Sequence, residues 1–371
     1  MHNKSEILPL TGLRFIAAIY VFVFHINYRW PIFSGGILKE IVSQGAVGMT
    51  IFFVLSGLLL AYQYSDRYED RKHYFLRRLA RIYPIYVVAA ISTLPWIWGA
   101  KIGVQTISWV DTTFLVLANV FVVQAWVPSF FKFWNDSGSW SISVEVFCYV
   151  VLPFIAPWMS RLSSKGLWLF AVFLYLCSVI PGNLIRLFPE LSFPFIYALP
   201  VFRLPEFLLG VCGFLAIQRG FKFARPNFVL VFILAVFVIY IGPVNQITPY
   251  VGHNWIVVPM VVLTVMALMQ SSGMVSRAFS SRLFVWLGKI SYCFYSFQVF
   301  LLFMLVTFHS DLVGLMPALR SNWVLCVFAM LVLVVISACG YHFIEEPCRR
   351  KIQSWADGRV SRHVCREVLK T

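Results

Sequence analysis

Long apolar runs and short polar segments alternate from one end of the chain to the other. A helix needs about 20 consecutive apolar residues to cross a bilayer. Runs near that length fall at 7–26, 45–63, 82–100, 139–158, 167–182, 198–217, 227–242, 254–271, 283–305 and 321–341. In hydrocarbon every backbone polar group must be satisfied internally, which helices do within one segment. The pattern therefore predicts an all-α fold, a polytopic transmembrane helical bundle of about ten spans.

Composition agrees with that pattern. Of 371 residues, 60% are hydrophobic and 12% charged, where a soluble domain carries about 25% charged residues. The first apolar run lacks a small-residue cleavage site and reads as a retained span. In a soluble chain the net charge of +15 would point to nucleic acid. Here the charges sit in short connections and report topology. With ten spans and a cytoplasmic N-terminus, the cytoplasmic segments collect 21 Lys and Arg against six in the external ones. The apolar stretch 112–127 would make an eleventh span and reverse everything after it. It is therefore expected to be re-entrant or interfacial on the external face, with both termini cytoplasmic. Eight cysteines form no CxxC pair and read as packing residues rather than a disulfide or zinc framework. No metal is implied.

Several polar groups interrupt the oily runs, where an ionisable residue is a functional candidate by default. Arg14 and His25 lie eleven residues apart on the first span. That spacing is three turns plus about 20°, so both face one way, ~16 Å apart along the axis. Arg77, Arg78 and Arg81 in "HYFLRRLARIYPIY" fall on adjacent turns of an expected short helix, with Pro84 at its junction with the next span. Guanidinium forks suit phosphate, although a positive-inside anchor has the same composition. Gly45, Gly48, Ser56 and Gly57 form a run of small residues suited to close helix packing. Glu145 lies inside a span and needs a partner or a proton; His25, at similar expected depth, is one. Arg203 and Glu206 are i,i+3 neighbours and read as a structural ion pair. Glu345 and Glu346 end the last span beside a basic cluster.

These segments resemble, in order, the acyltransferase-3 family of integral membrane acyltransferases. The resemblance rests on Arg-x10-His (Arg14, His25), "VGMTIFFVLSGLLLAY", "FLRRLARIYPIY", "SWSISVE", "RLPEFLLG", "LGKISYCFYSFQ" and "YHFIEEP". It covers about residues 7–350. One departure is Gln298, where the family often has a histidine; any role of that histidine is here reduced to hydrogen bonding or lost. The resemblance implies residues 1–350 as a membrane acyltransferase domain followed by a short basic cytoplasmic tail, 351–371. It also implies transfer of an acetyl or other acyl group from acyl-CoA to a sugar hydroxyl. The acceptor would be a surface or exported polysaccharide or a lipid-linked glycan, at a bacterial inner membrane. No bound cofactor is implied; acetyl-CoA enters as donor substrate.

On that reading Arg77, Arg78 and Arg81 hold the CoA end, and Arg14 lines the pantetheine path. Neutral His25 takes the acceptor's proton as general base, and Glu145 orients its imidazole. Both costly groups of the first span would then face one pore. Arg203, Glu206, Gln298 and Glu345 support the site. Two other classes keep the same charges. A glycolipid transporter or flippase would move substrate without turning over CoA. An assembly subunit of an export complex would not need His25.

Overall fold

A computed structural model describes residues 5–65, 71–98, 108–131, 136–188, 193–241 and 250–355; most of the predicted tail lies outside them. Among the described residues every regular element is helical. The first half holds α1 (Leu8–Arg29), α2 (Gly36–Ser43), α3 (Val47–Tyr64), α4 (Arg71–Ser92), α5 (Pro95–Trp98), α6 (Trp109–Val120) and α7 (Asp136–Arg161). The second holds α8 (Ser164–Leu187), α9 (Phe193–Ala198), α10 (Pro200–Gln218), α11 (Pro226–Ile241), α12 (Asn254–Gln270), α13 (Met274–Phe279), α14 (Arg282–Leu315) and α15 (Asn322–Gly340). The chain is thus an all-α polytopic bundle.

Seven of these helices are long and apolar enough to cross a membrane. The remaining three expected spans take other forms. Two became α11 and α12, of 16 and 17 residues, about 24–26 Å long. The span expected at 82–100 is displaced: α4 starts at Arg71, runs unbroken through Pro84 and ends at Ser92. Pro84 is therefore no junction, and the arginine cluster belongs to the same helix as the apolar segment. Inside a bundle, neighbouring helices offset the hydrogen bond a proline removes.

Two helix pairs position the site. The first is α1 with α14. Thr11 packs at Gly288, Phe15 and Phe22 meet Phe294, and His25 meets Gln298. The pairings rise together along both helices, so α1 and α14 are parallel. The second is α3 with α10. A Cβ on Gly57 would collide with the Phe207 carbonyl, and one on Gly210 with the Val54 carbonyl. Only glycine at both positions allows this backbone approach.

The same register argument places 108–131. On α4, Ile82 accepts from the Tyr292 hydroxyl at 2.9 Å, and just beyond it Trp96 of α5 packs on Phe300 and Phe303. So α4 also runs parallel to α14. Along α7 the order reverses: Gly138 lies on Val299, and Ser141 on Tyr295. The end of α4 and the start of α7 therefore share one face, and the chain between them makes no net crossing. α6 dips inward until the Tyr86 hydroxyl donates to the Asn119 carbonyl at 2.8 Å. Gln124 Nε2 then donates to Ser139 at 3.0 Å, tying the segment to α7. The described stretch 108–131 thus joins helices that meet at one end of the bundle.

Candidate active site

Charge converges at the end of the bundle where α1 and α4 begin. A cavity of about 540 Å³ opens there. Arg14 comes from α1, Ser56 and Tyr64 from α3, Arg77, Arg78 and Arg81 from α4, and Tyr149 from α7. Lys289 of α14 and Glu345, Glu346, Arg349 and Arg350 beyond α15 complete its wall. Spacings of three and four residues stack Arg78 and Arg77 with Arg81 on one side of α4. The Arg78 guanidinium lies over the rings of Tyr64 and Tyr149, at 5.5 and 5.8 Å.

Among the described residues the counter-charges of the cavity are already engaged, Glu6 with Lys289 at 3.7 Å. Glu346 is taken by Arg349 and by Arg350, the latter at 2.7 Å. Glu345 is buried at the end of a π turn, Tyr341–Glu345, that follows α15. It accepts from Cys293 Sγ at 3.1 Å and lies within electrostatic reach of Arg81 and Arg14. A single wide turn of this kind re-aims a side chain without ending the helix. Glu145 accepts from Ser56 Oγ at 3.2 Å and from the Tyr149 hydroxyl, and acts on Arg14. Arg14 and Arg81 also repel each other. Among the described residues the lining therefore carries more guanidinium than carboxylate.

His25 is built differently. It stands eleven residues further along α1, partly buried, with Nδ1 sealed from solvent and without a hydrogen-bond partner. The Gln298 side chain faces it from α14. The cavity lined by Arg14 does not reach it. Between them Phe15 and Phe22 close edge-on against Phe294, at 5.4 and 5.5 Å, and Phe52 closes against Tyr295 at 6.0 Å.

Two expectations are corrected here. Arg14 and His25 share a helix face but not one open pore, because aromatic rings fill the seam. Glu145 does not stand against His25; Ser56, Tyr149 and Arg14 hold it at the arginine end. Sequence reasoning also passed over Tyr64, Tyr149 and Lys289 as lining residues. Tyr149, one helical turn from Glu145, could have been found from that spacing.

Arg203 and Glu206 lie away from the cavity. Arg203 Nη1 donates to Glu206 Oε1 at 2.7 Å, with both side chains at most 2% exposed. The guanidinium sits 4.4 Å from the Tyr197 ring, and Asn254 bridges Glu206 to the Ser178 carbonyl. This polar knot ties α8, α10 and α12 together. Among the described residues no group of three or more His, Cys, Asp or Glu could hold a metal, and the cysteines are unpaired.

The sequence matches the family described as the acyltransferase domain over residues 8–342. The chain belongs to the acyltransferase-3 family. This acyltransferase is 25% identical to the acyltransferase MdmB of Streptomyces mycarofaciens, over 92% of its own length and 91% of that protein's. It is 24% identical to a Staphylococcus aureus (strain COL) protein named as a candidate O-acetyltransferase, matching all of this chain but 62% of that protein. A protein of Acidianus two-tailed virus named as a candidate acetyltransferase is 28% identical, over 69% of this chain and 73% of the relative. No solved structure matches the acyltransferase.

Proposed function

We propose that this membrane acyltransferase moves an acyl group, acetyl by preference, from cytoplasmic acyl-CoA to a sugar hydroxyl. The acceptor is a surface or exported polysaccharide or a lipid-linked glycan, presented on the external side of a bacterial inner membrane. The observation that carries this reading is the basic cavity. Arg77, Arg78, Arg81 and Arg14 converge on it, and CoA is a small polyanion with a thin, mostly apolar arm. Names of relatives as acetyltransferases support the acyl group.

The CoA phosphates occupy the arginine end, where guanidinium forks bind them bidentately. The pantetheine arm extends toward His25 once the aromatic seam parts. His25 takes the proton of the acceptor hydroxyl as its oxygen attacks the thioester carbonyl. The carbon–sulfur bond breaks, the acyl group stays on oxygen, and the CoA thiolate leaves and takes up a proton. Arg14, ~16 Å short of His25 along α1, lines the path of the pantetheine arm between the phosphates and the thioester.

The test is mass spectrometry of surface glycans with and without the protein. Purified protein is assayed in parallel for acetyl-CoA turnover. A gain of one acetyl per repeat at a defined sugar, with matching release of CoA, is expected. Unchanged glycans together with substrate movement and no CoA release would return the chain to the transporter class.

A further inference from the structure

The residue that serves His25 is left open once Glu145 is found at the other end of the site. We infer that Gln298 is the positioning residue of His25, forming with it a neutral pair in which an amide stands where a carboxylate is usual. This inference rests on the proposed acyl transfer, and it deepens it by naming how the base is oriented.

Three observations carry it. First, Gln298 faces His25 across the parallel α1–α14 seam, and Phe294, one turn earlier on α14, is locked between Phe15 and Phe22 of α1. The register of the two helices is therefore fixed at this level. Second, Gln298 is 0% exposed, yet neither its Oε1 nor its Nε2 has a hydrogen-bond partner. Buried amides are satisfied in the great majority of cases. An amide held unsatisfied beside an equally unsatisfied imidazole Nδ1 points to a bond that closes when the site is engaged. Third, among the described residues the groups that act on His25 are the Gln298 side chain and the Val21 backbone, and neither is charged.

The chemistry follows from the amide's two ends. If Oε1 accepts from the Nδ1 proton, the tautomer is fixed and the lone pair lies on Nε2, free to receive the acceptor's proton. A carboxylate would do the same and would stabilise the imidazolium more strongly. In a bilayer it would also bring an unpaired charge into hydrocarbon. The amide orients the ring without that cost.

The experiment uses the full chain in lipid nanodiscs. Acetyl-CoA serves as donor and the host's membrane glycolipid fraction as acceptor. Gln298→Met keeps the length of the side chain and removes both polar atoms. Because those atoms are unsatisfied, the variant should melt at or above the wild-type temperature. Its kcat should fall roughly 10- to 100-fold, part of what the base supplies, with an unchanged KM for acetyl-CoA. Gln298→Glu keeps an acceptor oxygen and adds charge, so the acid limb of its kcat/KM profile should move to higher pH. A merely structural glutamine would lose melting temperature and activity together in Gln298→Met, and that result would overturn the inference. So would a Gln298→Met kcat within twofold of wild type, or an unmoved limb in Gln298→Glu. Full activity in His25→Ala, or no acetyl-CoA turnover by the wild type, would instead bring down the acyl-transfer reading, and this inference with it.

Discussion

The two ends of α1 solve opposite problems. At Arg14 the surroundings are charged and open, and the few carboxylates are already shared among several partners. At His25 they are neutral and closed, and the imidazole Nδ1 and both amide atoms of Gln298 lack partners. The difference follows the cost of charge. Near the mouth of the bundle water screens the arginines until an anion arrives. Deeper in, unpaired charge is expensive, and only neutral donors and acceptors persist. On the proposed function, one end attracts the donor and the other acts on one atom of the acceptor.

Replacements can break this contrast. The largest effect is expected at the neutral end: His25→Gln should lower the rate of acetyl transfer by about 10²- to 10⁴-fold. Binding of CoA, followed by calorimetry, should stay intact; a near-normal rate would remove base chemistry from this residue. Next, Arg78→Ala combined with Arg81→Ala should raise the KM for acetyl-CoA about 100-fold or more, each lost charge-assisted contact being worth roughly 1.5–3 kcal/mol. The acceptor KM should move much less. The wild-type donor KM should itself climb with ionic strength, as phosphate contacts at an open mouth do, so a salt titration checks the same claim. Arg14→Lys keeps the charge and loses the planar fork. A partial loss of about 10-fold is expected, measured as kcat/KM for acetyl-CoA. The smallest change belongs to Glu145→Gln. Since Glu145 serves Arg14 and Tyr149, it should weaken donor binding about two- to fivefold, on the scale of one neutral hydrogen bond. It should leave the pH profile of the acyl step in place. A profile that shifts in Glu145→Gln would restore Glu145 as the partner of His25.

Periodicity was enough to place most helices within a few residues. α3 begins two residues from its expected start, and α15 lies within one residue of its expected limits. Long apolar runs leave few alternatives in hydrocarbon. The misreading came at Pro84, because proline ends helices in water but not in a packed bundle. Arg14 and the α4 arginines were legible as charges in an oily context. Their shared cavity was not, since it also needs Glu345, delivered from the far end of the sequence by a π turn. Glu145 was misassigned because depth estimated from position in a span cannot tell which neighbour a side chain meets. Ser56 and Tyr149 decided that, by hydrogen bonds that no single helix reveals. That 112–127 is not a further crossing was legible only through the charge asymmetry of the flanking segments.

The aromatic seam between Arg14 and His25 also acts as an electrical partition. In a bilayer, with water filling the arginine cavity from one side, much of the membrane voltage would fall across the rings of Phe15, Phe22, Phe294, Phe52 and Tyr295. Moving one elementary charge through that drop involves about 2.3 kcal/mol per 100 mV. An acyl group handed through the seam carries no charge, while the phosphates of its carrier stay behind with the arginines. Group transfer across this partition would then proceed with neither work from the membrane potential nor a leak of ions through the protein.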